Sequence, residues 1–413
     1  MMPPPSLSRS RSPPSSRSLS RSSSFLPPPS SLPPSPVSAS SLLPPSLSRS
    51  RSPPSSLSIS RSPPSLSRLR LLPPPSSLPR SPGLQGAKVP AVIVFGDSSL
   101  DSGNNNFIPT IARSNFAPYG KDFPGGQATG RFCNGRIPSD MISEALGLKP
   151  TVPAYLDPMY NISDFAVGVC FASAGTGYDN TTSDVVDVIP LWKEVEYYKE
   201  YQKKLKAFLG DRKAKKILNE ALYLISIGTN DFLENYYTLP NRRSQFTVNQ
   251  YQDFIIGLAE DFVKTIYALG ARRMSLTGVP PMGCLPLERT TNIMEDHACM
   301  EEYNIVALEY NGKLKGLVAK LNRELPGLDV VFADAYHVLL RLIKKPSLYG
   351  FEESKTGCCG TGRFEMSFLC DPYSPFTCQD ADKYVFWDAF HPSEKTNRMI
   401  TDHLLKTSFA KFL

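Results

Sequence analysis

Short apolar runs, separated by long amphipathic segments, are the main hydrophobic pattern of this chain. Four mainly apolar runs have the length of buried strands, at residues 91–94, 222–227, 274–276 and 328–332. A strand whose two sheet faces are both covered reads as a continuous apolar run and does not alternate with polar residues. The runs therefore predict strands of a parallel sheet.

The segments between these runs repeat apolar side chains at steps of three and four, as one face of a helix does. The predicted faces are Trp192, Val195, Tyr198, Leu205, Phe208 and Leu209; then Tyr251, Phe254, Ile255, Leu258, Phe262, Ile266 and Leu269; then Val306, Tyr310, Leu314, Leu317 and Leu321. Thr247 is the predicted N-cap of the second helix and Gly270 its predicted C-cap. Strands joined by such helices predict right-handed crossovers and an α/β sheet covered on both faces.

Composition separates the first 86 residues from the rest of the chain. They hold 22 of the 40 prolines, and the string PPSLSRSRSPPSS occurs in them twice, at residues 4–16 and 44–56. Such a segment cannot bury enough apolar surface to offset its conformational entropy. We predict a disordered Ser/Pro/Arg-rich tail over residues 1–86 and a single folded domain over residues 87–413.

The basic charge of the chain belongs to its N-terminal part. Asp97 is the first acidic residue, and residues 97–413 carry 34 basic and 38 acidic residues, against a net charge of +7 for the whole chain. The folded part is therefore not expected to bind nucleic acid.

Several interpretations of the tail stay open. Its Ser-Arg pairs are similar to the arginine-serine segments of splicing factors, although no RNA-recognition motif follows. Its Ser- and Arg-rich, acid-free composition also fits a plastid transit peptide. No apolar run near Met1 has the form of a secretory signal, and no stretch is long enough to span a membrane. An exon wrongly joined in place of a signal peptide is the favoured explanation.

Candidate chemistry follows two of the predicted strands. Gly96-Asp97-Ser98 comes after the first strand and Gly228-Thr229-Asn230-Asp231 after the second. Ligands of open parallel sheets bind beyond the carboxyl ends of the strands. Locally, Ser98 is open to two interpretations, a nucleophile or a helix cap.

A nucleophilic serine needs a base, and histidine is scarce in this chain. Of His297, His337, His391 and His403, His391 stands out because Asp388 precedes it by three residues. A carboxylate at that spacing can orient the imidazole and stabilise its charged form. The other three histidines are interpreted as structural.

Five spaced motifs, VFGDSSLDSGNNN, TGRFCNGR with DFAVGVCFASAGTGYDN, LISIGTNDF, GVPPMGCLP and YVFWDAFHPSEKTN, stand in this order. Together they resemble the plant GDSL-type esterase/lipase family of the SGNH hydrolases over residues 89–413. The resemblance implies a flavodoxin-like three-layer α/β/α sandwich with a central parallel sheet. It also implies a serine esterase/lipase that hydrolyses acyl esters without a cofactor. The G-x-S-x-G elbow of the α/β-hydrolases is missing from the sequence.

The same resemblance assigns roles to individual residues. Ser98 matches the nucleophile, His391 the general base and acid, and Asp388 the carboxylate that orients and stabilises His391. The oxyanion hole is expected to consist of the N–H of Ser98, the N–H of Gly175 and the side-chain amide of Asn230.

Some neighbouring positions are less directly assigned. Gly177 is the alternative to Gly175, because Cys170 and Ala174 depart from the family pattern GVNFASGGAG. Asp97 is expected to accept backbone N–H groups of its own turn, since it cannot reach the far nitrogen of His391. Loop architecture is the expected role of Asn104, Asn105, Asn106 and Arg131.

The eight cysteines bear on the compartment. No C-x-x-C spacing occurs, so no metal site is expected. Four cysteines between residues 358 and 378 favour disulfides formed under oxidising conditions, and Cys284 with Cys299 is the expected local pair. Sequons at Asn161 and Asn180 agree with a secreted glycoprotein. Secretion is therefore expected although no signal peptide is visible, with the plastid as the alternative.

Four functions remain in view at this stage. The first is a monomeric esterase acting on a small-molecule or lipid acyl ester. An acyltransferase with the same acyl-enzyme is the second, a catalytically silent binding protein on this fold the third, and an RNA-associated protein defined by its tail the fourth.

Overall fold

A computed structural model describes residues 89–413 of the chain, so the predicted disordered tail over residues 1–86 lies outside the described residues. Its strands are β1 Val92–Gly96, β2 Gly168–Cys170, β3 Leu222–Ser226, β4 Arg273–Thr277, β5 Asp329–Ala333, β6 Glu353–Gly357 and β7 Tyr384–Phe386. The first five form one parallel sheet in the order β2-β1-β3-β4-β5. The last two form a separate parallel pair.

Helices follow the strands as expected for parallel crossovers. They are α1 Pro138–Ala145, α2 Ile162–Phe165, α3 Asn180–Ser183, α4 Leu191–Leu209, α5 Asp211–Glu220, α6 Pro240–Gln245, α7 Val248–Ala268, α8 Pro286–Thr291, α9 Glu301–Glu324, α10 Ala335–Lys344 and α11 Glu394–Lys406. Short 3₁₀ turns lie at Asn104–Phe107, Met282–Cys284, Ile293–Glu295, Pro346–Tyr349, Ser367–Leu369 and Ala381–Lys383, and a π-helix at Asp231–Tyr237. The expected α/β architecture is confirmed.

The strand order places a topological switch between β1 and β3. The chain moves outward from β1 to β2 on one side and then returns to β3 on the other. This order is that of flavodoxin-like sheets, in which the crevice at the switch receives the ligand. The loops that carry Ser98 and Asn230 therefore leave the sheet beside each other.

Both faces of the sheet are covered by helices. Tyr223 of β3 points to α4, where its ring lies 6.0 Å from that of Tyr198. The next residue, Leu224, faces the opposite layer together with Leu339 of α10 and Leu404 of α11. Successive side chains of a strand point to opposite faces, so one short apolar run contributes side chains to the cores on both sides of the sheet.

Helix α4 corrects one prediction from the sequence. Trp192 and Phe208, placed on the buried face by their spacing, are 56% and 50% exposed. The predicted Val195, Tyr198 and Leu205 are buried, and Leu191 and Tyr201 complete the apolar face. The spacing rule did not separate Leu191 and Tyr201 from Trp192 and Phe208, because both pairs lie three or four residues from the shared members. Tyr198 packs against Phe95 and Phe171, and Tyr201 packs against Phe171, which leaves Trp192 and Phe208 on the outer side.

The second predicted helix begins and ends as its sequence indicates. Thr247 accepts the N–H of Gln250, and the Gln250 side chain accepts the N–H of Thr247 in return, which is a capping box. Gly270, just beyond the helix, has a φ of 109°, a backbone conformation that favours glycine.

Six of the eight cysteines form disulfides. The expected Cys284–Cys299 pair is confirmed, and the clustered cysteines pair as Cys358–Cys378 and Cys359–Cys370. Cys133 and Cys170 are buried free thiols. In the described part of the chain, no helix is both long and apolar enough to cross a bilayer.

Removal of the α7 cap should have a measurable cost. We expect Thr247→Ala to lower the free energy of unfolding by about 1 kcal/mol, because the N–H of Gln250 loses its acceptor. The matched control is Thr265→Ala, an exposed position within the same helix, where alanine should be neutral or slightly stabilising. Urea unfolding followed by circular dichroism measures both. Equal losses in the two variants would contradict the role of the cap.

Candidate active site

Ser98 lies two residues beyond the end of β1 and is 7% exposed. The chain leaves the strand through Gly96, whose φ is 139°. A Cβ at Gly96 would lie 2.0 Å from the carbonyl oxygen of Ser226, so no other residue fits while β1 stays paired with β3. Gly96 therefore fixes where the turn that carries Ser98 begins.

Ser98 meets the predicted histidine across the fold. The Oγ of Ser98 lies 2.8 Å from Nε2 of His391, although 293 residues separate them in the chain. Nδ1 of His391 lies 2.8 Å from Oδ2 of Asp388. His391 is 4% exposed and Asp388 is fully buried. The structure therefore brings the three predicted residues together in the order that proton transfer from a serine requires.

Asp388 is held by several hydrogen-bond donors besides the imidazole. Its Oδ1 accepts the backbone N–H groups of Phe390 and His391, at 2.8 and 2.6 Å. Its Oδ2 accepts the phenol of Tyr119 at 2.7 Å. With both oxygens engaged, the carboxylate cannot rotate away from the ring.

Tyr119 is a residue that the sequence analysis missed. It is 1% exposed and packs edge-to-face against Phe132 and Trp387. Its oxygen also accepts the N–H of Ser367, at 2.9 Å, while its own proton goes to Asp388. Desolvation by burial and the charge of Asp388 raise the pKa of the phenol well above its ordinary value, so it remains a donor. No local pattern marks a tyrosine 269 residues from its partner.

A second Asp-x-x-His pair shows why spacing alone does not define the site. Asp334 and His337 have the same separation as Asp388 and His391, and Nδ1 of His337 also lies 2.9 Å from its carboxylate. The His337 side chain is 53% exposed, against 6% for His391. Burial beside Ser98 distinguishes the two pairs.

The three predicted oxyanion donors have hydrogen-bonding capacity to spare, and Ser98 and Gly175 line the same cleft. Within residues 89–413, the backbone N–H groups of Ser98 and Gly175 have no hydrogen-bond partner. Asn230 is 1% exposed, and its amide nitrogen donates one bond, to the carbonyl oxygen of Thr176 at 3.0 Å. A primary amide has two N–H groups, so one remains for a ligand.

Gly175 and Gly177 differ in their surroundings. Gly175 has a φ of 87° and lines the same cleft as Ser98 and His391. A Cβ at Gly177 would instead lie 2.4 Å from the carboxylate of Asp231, which shows that Gly177 serves close packing. These positions favour Gly175 as the donor.

The loop that carries Gly175 is held by residues of the first motif. Asp101 accepts the N–H of Ala174 at 3.1 Å, and Asn105 donates to the Ala174 carbonyl oxygen at 3.0 Å. Asn104 donates to the carbonyl oxygens of Cys170 and Ala172. Desolvation raises the pKa of Asp101 to about 6. The polar residues after Ser98 therefore position the opposite wall of the site.

Asp97 and Arg131 have the contacts expected of scaffold residues. Oδ1 of Asp97 accepts the backbone N–H of Ser99 at 2.9 Å, within its own turn. Arg131 is buried and forms two bonds to Asp140, at 2.8 and 2.9 Å. Asn106 donates to the carbonyl oxygen of Thr129.

Two apolar spaces meet at Ser98. The first, here called the inner cavity, has a volume of about 130 Å³ and lies between the sheet and helices α1, α10 and α11. The second, here called the open cleft, has a volume of about 140 Å³ and is lined by Ala112, Gly175, Val186, Glu234 and residues 366–369. Ile111 and Phe368 at the open cleft are 62% and 54% exposed, so this space faces solvent.

Glu234 is the ionisable group of the open cleft that the sequence analysis did not identify. Its Oε2 atom is buried without a hydrogen-bond partner among the described residues. Desolvation, with smaller contributions from the charges of Asp97 and Asp231, raises the pKa of Glu234 to about 8. A neutral carboxyl group can donate as well as accept a hydrogen bond, which suits a polar ligand in the cleft.

Comparison with known proteins finds close relatives. The model of the GDSL-like lipase/acylhydrolase family matches residues 92–404. The Arabidopsis thaliana protein GDSL esterase/lipase At2g42990 is 66% identical over 323 residues, which are 78% of this chain and 92% of that protein. GDSL esterase/lipase At4g26790, from the same plant, is 61% identical over 326 residues, which are 79% of this chain and 93% of that protein.

The raised pKa of Glu234 should make stability depend on pH. From its ordinary value of 4.5 up to about 8, the unfolded chain releases this proton while the folded protein keeps it, so stability falls as pH rises. Glu234→Gln removes that loss. We expect the variant to match wild type near pH 4 and to exceed it by several kcal/mol at pH 8.5, since each unit of the raised pKa corresponds to about 1.4 kcal/mol.

Urea unfolding at a series of pH values tests this expectation. The control is Glu302→Gln, an exposed position on α9. A difference between Glu234→Gln and wild type that stays constant over pH 4–8.5 would contradict the assignment.

Proposed function

The chain belongs to the GDSL-like lipase/acylhydrolase family, and on that premise we propose that it is a serine esterase/lipase hydrolysing carboxylic (acyl) esters. We further propose that residues 87–413 form its single catalytic domain. One observation carries the proposal: the Oγ of Ser98 lies 2.8 Å from Nε2 of His391, whose other ring nitrogen lies 2.8 Å from Asp388. That arrangement activates a serine that is otherwise a weak nucleophile.

In the first step, Oγ of Ser98 attacks the carbonyl carbon of the ester while Nε2 of His391 takes its proton. Nε2 must be unprotonated beforehand, so the ring proton has to reside on Nδ1. Asp388 favours that tautomer by accepting the Nδ1 proton, and it stabilises the imidazolium that forms. Tyr119 acts as a positioning residue because it holds the far oxygen of Asp388.

Negative charge develops on the carbonyl oxygen during this attack. The proposed donors to it are the N–H groups of Ser98 and Gly175 and the second N–H of Asn230. Donors that are fixed before the reaction stabilise this charge without reorganisation, and each is typically worth a factor of 10² to 10³ in rate.

The tetrahedral intermediate then collapses to an acyl-enzyme. The carbon–oxygen bond to the alcohol breaks, and the alcohol oxygen takes the proton from His391. A water molecule next gives a proton to His391 and attacks the acyl carbon. The second tetrahedral intermediate formed in this way then breaks down. It releases the carboxylic acid, and His391 returns the proton to Ser98. Atoms and charges balance with water alone, so the proposed cycle uses no cofactor. An alcohol in place of that water would make the protein an acyltransferase.

An oxidising, extracellular location fits the same protein. Three disulfides are present, and such bonds persist mainly in oxidising compartments. Both sequon residues, Asn161 and Asn180, are exposed. We propose that the protein is secreted and glycosylated.

Protein produced in a eukaryotic secretory host should lose mass on N-glycosidase treatment, because the enzyme removes N-linked glycans. An unchanged mass would oppose glycosylation.

Ser98→Ala should abolish ester hydrolysis. We expect kcat to fall by at least about 10⁴ on p-nitrophenyl esters, because the acyl-enzyme cannot form. The control is Ser99→Ala: the Ser99 hydroxyl bonds to Asp97 and Ser226, so activity should stay within about tenfold of wild type. Equal hydrolysis by wild type and Ser98→Ala would refute the nucleophile. Acyl transfer to an added alcohol without hydrolysis would favour the acyltransferase, and stoichiometric ester binding without turnover a silent binding protein.

Asn230→Ala should act on the transition state rather than on substrate binding. We expect kcat to fall by about 10² to 10³ with KM changed less than threefold. Asn249→Ala, at an exposed position of α7, serves as the control and should leave both constants unchanged. A fall in kcat of less than tenfold in Asn230→Ala would remove Asn230 from the oxyanion hole.

A further inference from the structure

The inner cavity and the open cleft share four lining residues, Ser98, Phe132, Phe390 and His391. The nucleophile and its base therefore lie at the junction of two apolar spaces. An ester has two arms that meet at the carbonyl carbon, so a substrate attacked by Ser98 can extend one arm into each space. The geometry raises the question of which arm enters which space.

The inner cavity suits an aliphatic chain. Its wall is built mainly of aliphatic and aromatic side chains from the two packed layers, including Ile142, Leu224, Leu339, Ile400, Leu404 and Phe409. Leu224, Leu339 and Leu404 are each less than 5% exposed. Burial of an apolar chain against such a wall is favourable because it removes apolar surface from water.

The open cleft has a different character. It is bounded by the exposed side chains of Ile111, Phe368 and Leu369, and it contains the carboxyl group of Glu234. A polar ligand group can therefore find a hydrogen-bond partner there and can pass to and from solvent.

The chemistry of the acyl-enzyme decides between the two arms. After the first step the acyl group stays bonded to Ser98, whereas the alcohol must leave and water must take its place. The alcohol arm therefore needs the side whose lining is exposed to solvent, and the acyl arm can occupy the inner cavity, none of whose lining residues is exposed. We propose that the inner cavity is the acyl-chain pocket of this enzyme and that the open cleft receives the alcohol. This inference rests on the proposed esterase function.

The volume of the inner cavity limits the length of the chain. An apolar protein cavity of about 150 Å³ holds one benzene molecule, which has six carbons. At about 130 Å³, the inner cavity accommodates an acyl group of about six carbons. Drug-sized ligands need pockets of roughly 300 Å³ or more, so acyl groups of 12 carbons or longer exceed this space. The preferred substrates are therefore esters of short to medium-chain acids.

A series of p-nitrophenyl esters from acetate to dodecanoate tests the length on the whole protein. Each methylene group that enters the cavity should raise kcat/KM about fourfold until the cavity is full. We expect a maximum between butanoate and hexanoate and a fall of at least tenfold by dodecanoate. A flat profile, or one that rises up to dodecanoate, would overturn the proposal.

Two matched substitutions separate the spaces. Ala335, at the start of α10, lines the inner cavity, and Ala112 lines the open cleft. Ala335→Leu should shift the preferred acyl length down by about two carbons and leave the preference among hexanoate esters of different alcohols unchanged. Ala112→Leu should alter the alcohol preference and leave the acyl optimum in place. An unchanged acyl-length profile in Ala335→Leu would refute the assignment of the inner cavity to the acyl chain. So would a changed alcohol preference in Ala335→Leu together with a changed acyl optimum in Ala112→Leu.

Binding to Ser98→Ala provides a readout that does not require turnover. We expect calorimetry to show that hexanamide binds at least tenfold more tightly than acetamide, and that the added Ala335→Leu change removes this difference. Equal binding of the two amides would identify the inner cavity as a packing void. Amide discrimination without hydrolysis of any ester by wild type would instead leave the pocket in place and refute the esterase, so the two failures are distinguishable. Thermal unfolding of each variant confirms that it is folded.

Discussion

The close parallel pairing of β1 with β3 is the constraint on which the site depends. At the carboxyl end of this pair, Gly96 lies opposite Ser226, and the N–H of Asp97 donates to the Ser226 carbonyl oxygen at 3.0 Å. The buried Glu194 accepts the N–H of Gly96 from the other side, at 3.0 Å. These bonds end both strands at one level of the sheet, so the turn that bears Ser98 and the loop that bears Asn230 emerge as neighbours. A side chain at position 96 would force the strands apart and separate them.

The carboxyl groups buried near Ser98 have different partners. Desolvation raises the pKa values of Asp97 and Glu194, and each accepts a backbone N–H of the β1 turn. Asp388 instead faces an imidazole, and its oxygens also accept two backbone N–H groups and a phenol. A buried carboxyl group therefore holds the backbone of the β1 turn at Asp97 and Glu194, and it orients the His391 ring at Asp388. The difference arises from the donors that the fold supplies, since all three carboxyl groups are buried.

The disulfide-linked segment between Cys358 and Cys378 supports the second half of the site. The N–H of Cys359 donates to the carbonyl oxygen of Trp387, and the N–H of Ala389 donates to that of Glu365, so this segment packs on both sides of Asp388. Within it, Ser367 donates its N–H to Tyr119, which donates in turn to Asp388. Met366 and Phe368, on either side of Ser367, line the open cleft. The segment that forms part of the wall of the open cleft therefore also orients the Asp388 carboxylate, through the hydrogen bonds from Ser367 to Tyr119 and from Tyr119 to Asp388.

By itself the sequence determined the elements and the chemistry that are local. Apolar runs located β1, β3, β4 and β5, helical spacing located α7 and α9, and the motifs identified Ser98, Asp388 and His391 as candidates. The three-residue strand β2 was missed because Gly168-Val169-Cys170 is too short to show a pattern. The buried face of α4 was predicted only in part, because Trp192 and Phe208 fit the helical spacing as well as Leu191 and Tyr201 do. Only the tertiary structure decided that Asp388 and His391 reach Ser98, while His337 of the equally spaced Asp334–His337 pair remains exposed. It also revealed Tyr119, Glu234 and the inner cavity. The physical reason is that contacts across hundreds of residues depend on how the crossovers pack on the sheet, and no local spacing encodes that.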